Sequence, residues 1–202
     1  MMPVIVDYGV GNLRSIAKAF ERVRTPVRIS SDPHDILHAP KLILPGVGHF
    51  GAAMEALKRS GLCAVLTDAV MERQTPILGI CLGMQLFFKG SDEGGVTGLG
   101  WLDGHIRSLS PADGLKVPNM GWRSLAVRAP HPLFPAGERD WRGYFVHSYH
   151  ATEVPDDHIA AVTEYGGTIV AAVRAGSIMG VQFHPEKSHS FGRMILQAFA
   201  EI

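Results

Sequence analysis

Two cysteines among 202 residues, Cys63 and Cys81, are too few for the disulfide framework of a small secreted protein. A reduced, cytosolic protein is the simpler reading. Charge of either sign is not in excess. Lys and Arg number 19 and Asp and Glu 19, so nothing favours nucleic acid or an anionic membrane as partner. Gly, Pro or a charged residue interrupts every apolar run, which leaves no stretch long enough to span a bilayer. The start, Met1-Met2-Pro3-Val4-Ile5-Val6-Asp7, has no basic segment, and its apolar run ends too soon for a signal peptide. Internal repeats, low-complexity tracts and linker-like segments are missing too, so one domain over residues 1–202 is expected. What is present is 46% hydrophobic and 19% charged residues, the profile of a globular chain long enough for a substantial core.

The first half alternates short apolar runs with helical patterns. Val4–Val6 reads as a buried strand, and Val27–Ser30, Leu42–Leu44 and Pro76–Ile80 as three further strands. Leu13–Arg24 has helical spacing, with Leu13, Ile16, Ala17, Phe20 and Val23 on one face and Asn12 as its cap. Phe50–Arg59 and Leu62–Glu72 are further helices, and Leu82–Phe88 starts another. Strands separated by helices imply a parallel sheet with helices on both faces. From Gly104 to Val181 short β-rich runs dominate instead: His105–Leu109, Trp122–Arg128, Tyr144–His147, Ile159–Thr163, Thr168–Arg174 and Ile178–Val181. Gly and Pro punctuate them, and Ser188–Ala200 closes the chain as an amphipathic helix. The expected fold is α/β: an open, mostly parallel mixed sheet with helices on both faces and a small antiparallel extension.

The sharpest local signal is Pro76-Ile77-Leu78-Gly79-Ile80-Cys81-Leu82-Gly83-Met84-Gln85, a strand, then Gly-x-Cys-x-Gly, then a helix. Glycines on both sides of the cysteine suit a tight strand-to-helix turn, where backbones approach too closely for a β-carbon. Such a turn lifts the thiol above the carboxyl end of the sheet, where open α/β proteins bind ligands. The helix N-terminus behind Cys81 favours negative charge on the sulfur, and the Leu82 N–H sits where an oxyanion could form. A lone cysteine in an apolar run is more often a small buried hydrophobe. Cys63, in Gly61-Leu62-Cys63-Ala64-Val65-Leu66, has no such elbow and reads as core.

A thiolate that cleaves an amide needs a proton donor for the leaving nitrogen and a group to orient that donor. Gly180-Val181-Gln182-Phe183-His184-Pro185-Glu186 offers both. Pro185 pushes His184 towards an extended conformation, in which residues two apart face the same way. His184 and Glu186 are therefore expected to project to one side, with Glu186 fixing the imidazole tautomer. The chain has ten histidines. His34, His38, His105, His131 and His158 lie in polar or Pro-rich, loop-like contexts and read as surface or satisfied histidines. His49 and His147 lie within motifs and stay open. Neither cysteine has a Cys or His at zinc-ligand spacing, so no metal is expected.

Pro45-Gly46-Val47-Gly48, the cysteine elbow and the Gly180–Glu186 run, in this order, resemble the triad glutamine amidotransferases over nearly the whole chain. Tyr8-Gly9-Val10-Gly11-Asn12, Pro118-Asn119-Met120-Gly121-Trp122, Tyr144-Phe145-Val146-His147-Ser148-Tyr149 and Glu186-Lys187-Ser188 narrow the resemblance to the glutaminase subunits of imidazole glycerol phosphate synthases. The resemblance implies that Cys81 attacks the glutamine side-chain amide, that His184 protonates the leaving nitrogen and that Glu186 orients His184. It implies an oxyanion hole from Leu82 and the Gly46, Val47 and Gly48 backbone. It implies Gln85, Glu93, His147, Ser148 and Tyr149 as substrate-binding residues, no cofactor, and a (β/α)₈-barrel cyclase subunit as partner in a heterodimer. The sequence departs from the family at Lys89-Gly90, where relatives often carry acidic residues, and at His49, which either perturbs the loop or faces solvent.

The glycines of the Pro45–Gly48 loop suit a peptide reorientation, so the oxyanion hole is expected to be completed only when the partner holds its ligand. Tyr8, Asn12, Asn119, Met120, Trp122 and Lys187 are the interface candidates, with Trp122 either an interface or a core aromatic. Competing readings are the same glutaminase serving anthranilate or aminodeoxychorismate synthesis, a peptidase or chaperone-like protein, and a non-catalytic binding subunit. Met84 and Pro118–Trp122 argue against the first. Leu82, where the second class commonly has histidine, argues against that class. The intact Cys81, His184 and Glu186 argue against the last.

Overall fold

The computed structural model describes residues 2–110, 114–128, 131–134 and 141–202. Its first half runs β1 (Val4–Val6), α1 (Leu13–Arg22), β2 (Arg28–Ser30), α2 (Pro33–Leu37), β3 (Leu42–Gly46), α3 (Phe50–Arg59), α4 (Leu62–Thr67), β4 (Ile77–Cys81) and α5 (Leu82–Gln85). The second half adds β5 (Gly90–Ser91), β6 (Val96–Thr97), β7 (His105–Ser108), β8 (Asn119–Ser124), β9 (Ala126–Val127), β10 (Arg142–His147), β11 (Tyr149–Thr152), β12 (Ile159–Glu164), β13 (Thr168–Ala175), β14 (Ile178–Val181) and α6 (His189–Glu201).

Among the described residues the main sheet has eight strands in the order β2-β1-β3-β4-β14-β13-β12-β9. β2, β1, β3, β4 and β14 are parallel neighbours. β14, β13, β12 and β9 are joined antiparallel. The pleat sorts the core. Val4, Val6, Leu42, Leu44 and Ile77 face a layer of Ile36 from α2, Phe50 and Leu57 from α3 and Leu62 and Leu66 from α4. Ile5, Ile43, Leu78 and Ile80, one residue out of phase, face Ile16 and Phe20 of α1 and Ile195, Leu196 and Phe199 of α6. A sheet covered on both faces has near-continuous apolar strands, which is why these runs stood out in the sequence. No helix among the described residues is long and apolar enough to cross a membrane.

Several boundaries differ from the sequence reading. The Leu62–Glu72 helix is α-helical only to Thr67 and continues as a π-helical turn over Asp68–Glu72. α5 ends at Gln85, where Phe87 and Phe88 turn back to accept from Trp101 and Gly100 through their carbonyl groups. Pro118–Trp122 is not a loop before a strand: β8 begins at Asn119 and pairs antiparallel with β10, Asn119 opposite His147. Gly121, at φ 124°, is the residue that disguised it as a turn. The Tyr144–Tyr149 run splits at Ser148, β10 pairing with β8 and β11 with β7 in a separate four-stranded sheet. α2 was not foreseen, although Asp32 caps it by accepting from His34 N at 2.8 Å and Pro33 opens it.

The tightest point of the fold joins β3 to α5. A β-carbon at Gly83 would lie 1.9 Å from the Leu44 carbonyl oxygen, and one at Gly46 2.6 Å from Gly83 N. Both obstacles are backbone, which cannot swing aside as a side chain can. Gly83→Ala is expected to destabilise the protein by about 1–3 kcal/mol, as overpacking a close contact does. A urea midpoint unchanged from wild type would show that β3 and α5 separate freely.

Candidate active site

The carboxyl ends of β3, β4 and β14 meet in register. Gly46 lies opposite Cys81, and Val181 lies opposite Ile80, which sets Gln182 beside the cysteine. Cys81 turns the chain from β4 into α5 at φ 55° and ψ −112°, a conformation that L-residues rarely hold unless the surroundings enforce it. The enforcement is local packing. A β-carbon at Gly79 would stand 2.6 Å from the Phe87 ring and 2.7 Å from Met84 Cα. At Gly180 it would stand 2.4 Å from Met84 Cγ, so the glycine of β14 makes room for the methionine of the elbow. The Cys81 sulfur lies 3.9 Å from the Val146 carbonyl oxygen and 3.6 Å from Gln182 Nε2.

His184 comes off the end of β14. Its backbone N–H donates to the Tyr144 carbonyl at 2.9 Å, and its own carbonyl accepts from Ser188 Oγ at 2.6 Å. Glu186 reaches the imidazole by a route the sequence reading did not foresee. Pro185–Lys187 forms a 3₁₀ turn, not an extended segment, with Pro185 at its first position where a missing N–H leaves no bond unmade. His184 Nδ1 donates to Glu186 Oε1 at 2.8 Å, and both side chains are almost wholly buried. Nε2, also buried, makes no conventional hydrogen bond and is left to the reacting atoms. Burial pulls the His184 imidazole down, but Cys81 and Glu186 together outweigh it and raise it from 6.5 to about 10.

These groups open on a cavity of about 410 Å³ that is also lined by Gln85, Glu93, Val47, Gly48 and the His147–Tyr149 segment. A buried thiol, an imidazole held by a carboxylate and a cavity of small-ligand size suit nucleophilic attack on an amide or ester. Among the described residues no group of three His, Cys, Asp or Glu side chains could hold a metal ion.

A family model described as glutamine amidotransferase class-I matches residues 4–201. The chain belongs to this family. It is 42% identical, over 201 residues and the whole of both chains, to imidazole glycerol phosphate synthase subunit HisH 2 of Pseudomonas aeruginosa. It is 48% identical over 203 residues to subunit HisH of a Geobacillus strain, covering 98% of this chain and 95% of that one. In fold it is similar to the structure of PurLQS from Thermotoga maritima, with a TM-score of 0.75 at 21% identity, covering 99% of this chain and 97% of that one.

In this amidotransferase the remaining candidates divide. Gln85 is buried, its Nε2 donating to the Tyr149 carbonyl at 2.9 Å and to Gln182 Oε1 at 2.8 Å. Glu93 Oε2 accepts from Phe50 N at 2.8 Å, which pins the carboxylate to the first turn of α3 at the cavity wall. Lys89 turns outward into an exposed ion pair with Asp103 at 2.5 Å, so the departure at Lys89-Gly90 leaves Glu93 in the cavity. Gly46 does not line the cavity: it is buried beneath the elbow, and Val47 and Gly48 supply that wall. His49 is exposed, as the second alternative had it, but it also has a structural task. It caps α3, Nδ1 accepting from Gly51 N at 3.1 Å and Ala52 N at 3.4 Å. Among the ordinary histidines, His105 sits in β7 with Asp92 at 2.8 Å, and His131 is buried, its Nδ1 accepting from Leu133 N at 3.0 Å.

The interface candidates also divide. Tyr8 is buried, its hydroxyl donating to the Pro45 carbonyl at 2.7 Å, and burial chiefly, with Cys81 adding to it, pushes its phenol well up. Asn119 is fully buried between His147 and Arg123. Neither side chain can meet a partner directly; in the sequence both sit in glycine-marked, loop-like runs that hid their burial. Asn12, which caps α1, and Met120 and Lys187 are exposed. Trp122 is half-buried, stacked on His189 at 5.0 Å between ring centroids. Sequence reasoning missed Gln182 altogether, although it lies two residues before His184 in an extended run.

Two outcomes check this geometry. His49→Ala is expected to lose about 1 kcal/mol of stability through the unmade cap, whereas His49→Ser retains most of it; equal loss in both would remove the capping role. For His184, the folded value of about 10 lies above the ordinary 6.5. Its contribution to stability is therefore full below pH 6.5 and fades as pH rises through 10. Urea midpoints should fall across that window, and less steeply in Cys81→Ala, where the sulfur no longer helps to hold the proton. Matching ¹⁵N titrations of the His184 ring in both proteins would contradict the pairing.

Proposed function

We propose that this chain is the glutaminase subunit of an imidazole glycerol phosphate synthase, hydrolysing glutamine to glutamate and ammonia and passing the ammonia to a separate cyclase subunit in histidine biosynthesis. The observation that carries the chemistry is the single cavity shared by Cys81 at the elbow and His184, with Glu186 bonded behind the ring. Class membership supplies the substrate, and the synthase assignment rests on full-length relatives at 42–48% identity.

The proton shared between Cys81 and His184 rests on His184 Nε2, where the sulfur and Glu186 hold it, and the thiolate attacks Cδ of the glutamine side chain. The oxyanion is met by the Leu82 N–H at the start of α5 and by the backbone of Val47 and Gly48. The imidazolium returns its proton to the departing nitrogen, the C–N bond breaks, and ammonia leaves a γ-glutamyl thioester. Water, deprotonated by His184, then cleaves the thioester to glutamate and restores the Cys81–His184 pair. Glu186 holds the ring through both proton transfers without giving up its charge. Glu93 faces the substrate ammonium with its second oxygen, Gln85 holds the cavity wall, and the His147–Tyr149 backbone carries the amino-acid end.

Ammonia set free in neutral water gains a proton and ceases to be a nucleophile, so a delivery path to the acceptor is needed. The face around the cavity suits a barrel-shaped cyclase in a heterodimer. Val47 lines the cavity and is 44% exposed, Val117 adjoins the lining Pro118 at 47%, and Met120 is 57% exposed. Exposed apolar side chains grouped near one site favour a protein contact. Lys187 adds a cation to the same cavity.

Glutamate release should be measured with the protein alone, with the cyclase subunit, and with that subunit plus its ribulosyl nucleotide substrate. Strong stimulation in the third setting is expected, and Cys81→Ala should abolish it, by a factor on the order of 10⁴ or more. Activity indifferent to this partner would overturn the synthase assignment, and Cys81-independent activity would overturn the mechanism.

A further inference from the structure

We propose that Gln182 is a positioning residue for the nucleophile, its amide nitrogen held on the Cys81 sulfur by a buried hydrogen-bonded relay that starts at Arg123. The inference rests on Cys81 being the nucleophile and adds a residue that the triad does not include.

Each link fixes the next. Arg123 has only donors, and its Nε donates to Asn119 Oδ1 at 2.9 Å. Asn119 must then turn Nδ2 to His147 Nε2, at 3.0 Å. That bond makes Nε2 an acceptor and leaves the His147 proton on Nδ1, which donates to the Tyr149 carbonyl at 2.9 Å. Burial, the largest influence on this ring, pushes it down to about 4, so a neutral imidazole with one defined tautomer is the form present.

The Tyr149 carbonyl can only accept, so Gln85 must also present N–H there, at 2.9 Å. The second hydrogen of the same nitrogen reaches Gln182 Oε1 at 2.8 Å. With its oxygen engaged, Gln182 has only its nitrogen to offer the sulfur, at 3.6 Å.

Asn119, His147, Gln85 and Gln182 are all buried, and Gln182 is fully so. Buried amides persist only where their groups are paired. Packing alone would be served by an apolar side chain of the same length. An N–H aimed at the sulfur favours the ionised sulfur and, with the Val146 carbonyl as the other neighbour, fixes the side-chain direction. Gln182 and His184 thus approach Cys81 from alternate positions of one extended run, with Phe183 between them turned into the core. Arg123 at the far end is only partly buried and lies over the Tyr165 ring at 4.6 Å.

The test replaces Gln182 with methionine, equal in length and without an N–H. Two quantities are read on the full chain bound to its cyclase subunit. One is the rate of Cys81 alkylation by iodoacetamide, followed by peptide mapping so that Cys63 is counted separately. The other is kcat and KM for glutamine. Folding is checked by thermal melting. For a charge-assisted hydrogen bond the expected loss in Gln182→Met is roughly 10- to 100-fold in both alkylation rate and kcat, with KM within about 3-fold.

Alkylation and kcat within about 2-fold of wild type would overturn the inference, as would a rise in KM alone, which would assign Gln182 to the substrate through Gln85. If Gln182→Met does not fold, Gln182→Asn, whose amide falls one methylene short of the sulfur, decides by the same two readings. A wild-type protein that releases no glutamate would defeat the glutaminase reading, while the alkylation comparison would still decide the role of Gln182.

Discussion

A β-carbon at Gly83 would stand 1.9 Å from the Leu44 carbonyl oxygen, so β3 and α5 can approach as they do only with hydrogen at that position. This contact sets where α5 starts. Its start sets the unusual backbone of Cys81, and that backbone lifts the sulfur out of the sheet. The strain of a left-handed cysteine, of order 1–3 kcal/mol, persists because Gly46, Gly79 and Gly180 let three strands close on the elbow at once. A side chain at Gly46 would push on the backbone of Leu82 and Gly83, next to the nucleophile, and one at Gly79 or Gly180 would displace Phe87 or Met84 of the elbow.

With the sulfur fixed, the electrostatics of the site follow from burial. His184 and Glu186 are nearly inaccessible, so water cannot supply the partner that each needs. Burial alone would leave His184 neutral. The carboxylate bonded to one ring nitrogen and the sulfur facing the other reverse that outcome. The imidazole therefore holds its proton ready for a leaving nitrogen, which is the property an amide-cleaving thiol enzyme needs and an inert buried cysteine lacks. Cys63 makes the contrast inside the same chain: burial is the leading influence there, and it pushes that thiol up.

The legible parts of the sequence were those governed by short-range rules. Short continuous apolar runs revealed the central strands, and paired glycines the elbow. What escaped was decided by contacts between residues far apart. Tyr8 looked exposed beside Gly9 and Gly11, yet its hydroxyl bonds to Pro45, 37 residues on. Asn119 looked like a loop residue because a positive-φ glycine lies two places after it, yet β10 pairs with it and buries it. His49 was ambiguous because an imidazole acceptor at a helix start is an uncommon cap, and only the positions of Gly51 and Ala52 decide it. The His184–Glu186 contact was foreseen for half of its local reason: His184 is extended, as Pro185 favours, but a 3₁₀ turn over Pro185–Lys187 brings Glu186 back to it.

The two halves of the molecule contribute different kinds of group to the site, and the division follows from their topology. The parallel half has only strand ends to offer, and it supplies the sulfur, the Leu82 N–H and the loop after β3. The antiparallel half is built of hairpins whose strands change sheets, and the change at Ser148 turns β10 into β11 beside the cavity. That break exposes carbonyl groups which a continuous strand would have spent on its neighbour. Tyr149 uses its carbonyl to hold both His147 and Gln85. The cavity is thus a seam: the reacting atom belongs to one half, and the groups that orient its surroundings belong to the other. A surface that engages β8 or the residues beside Pro118 is one hydrogen-bonded strand pair away from the cavity wall at His147.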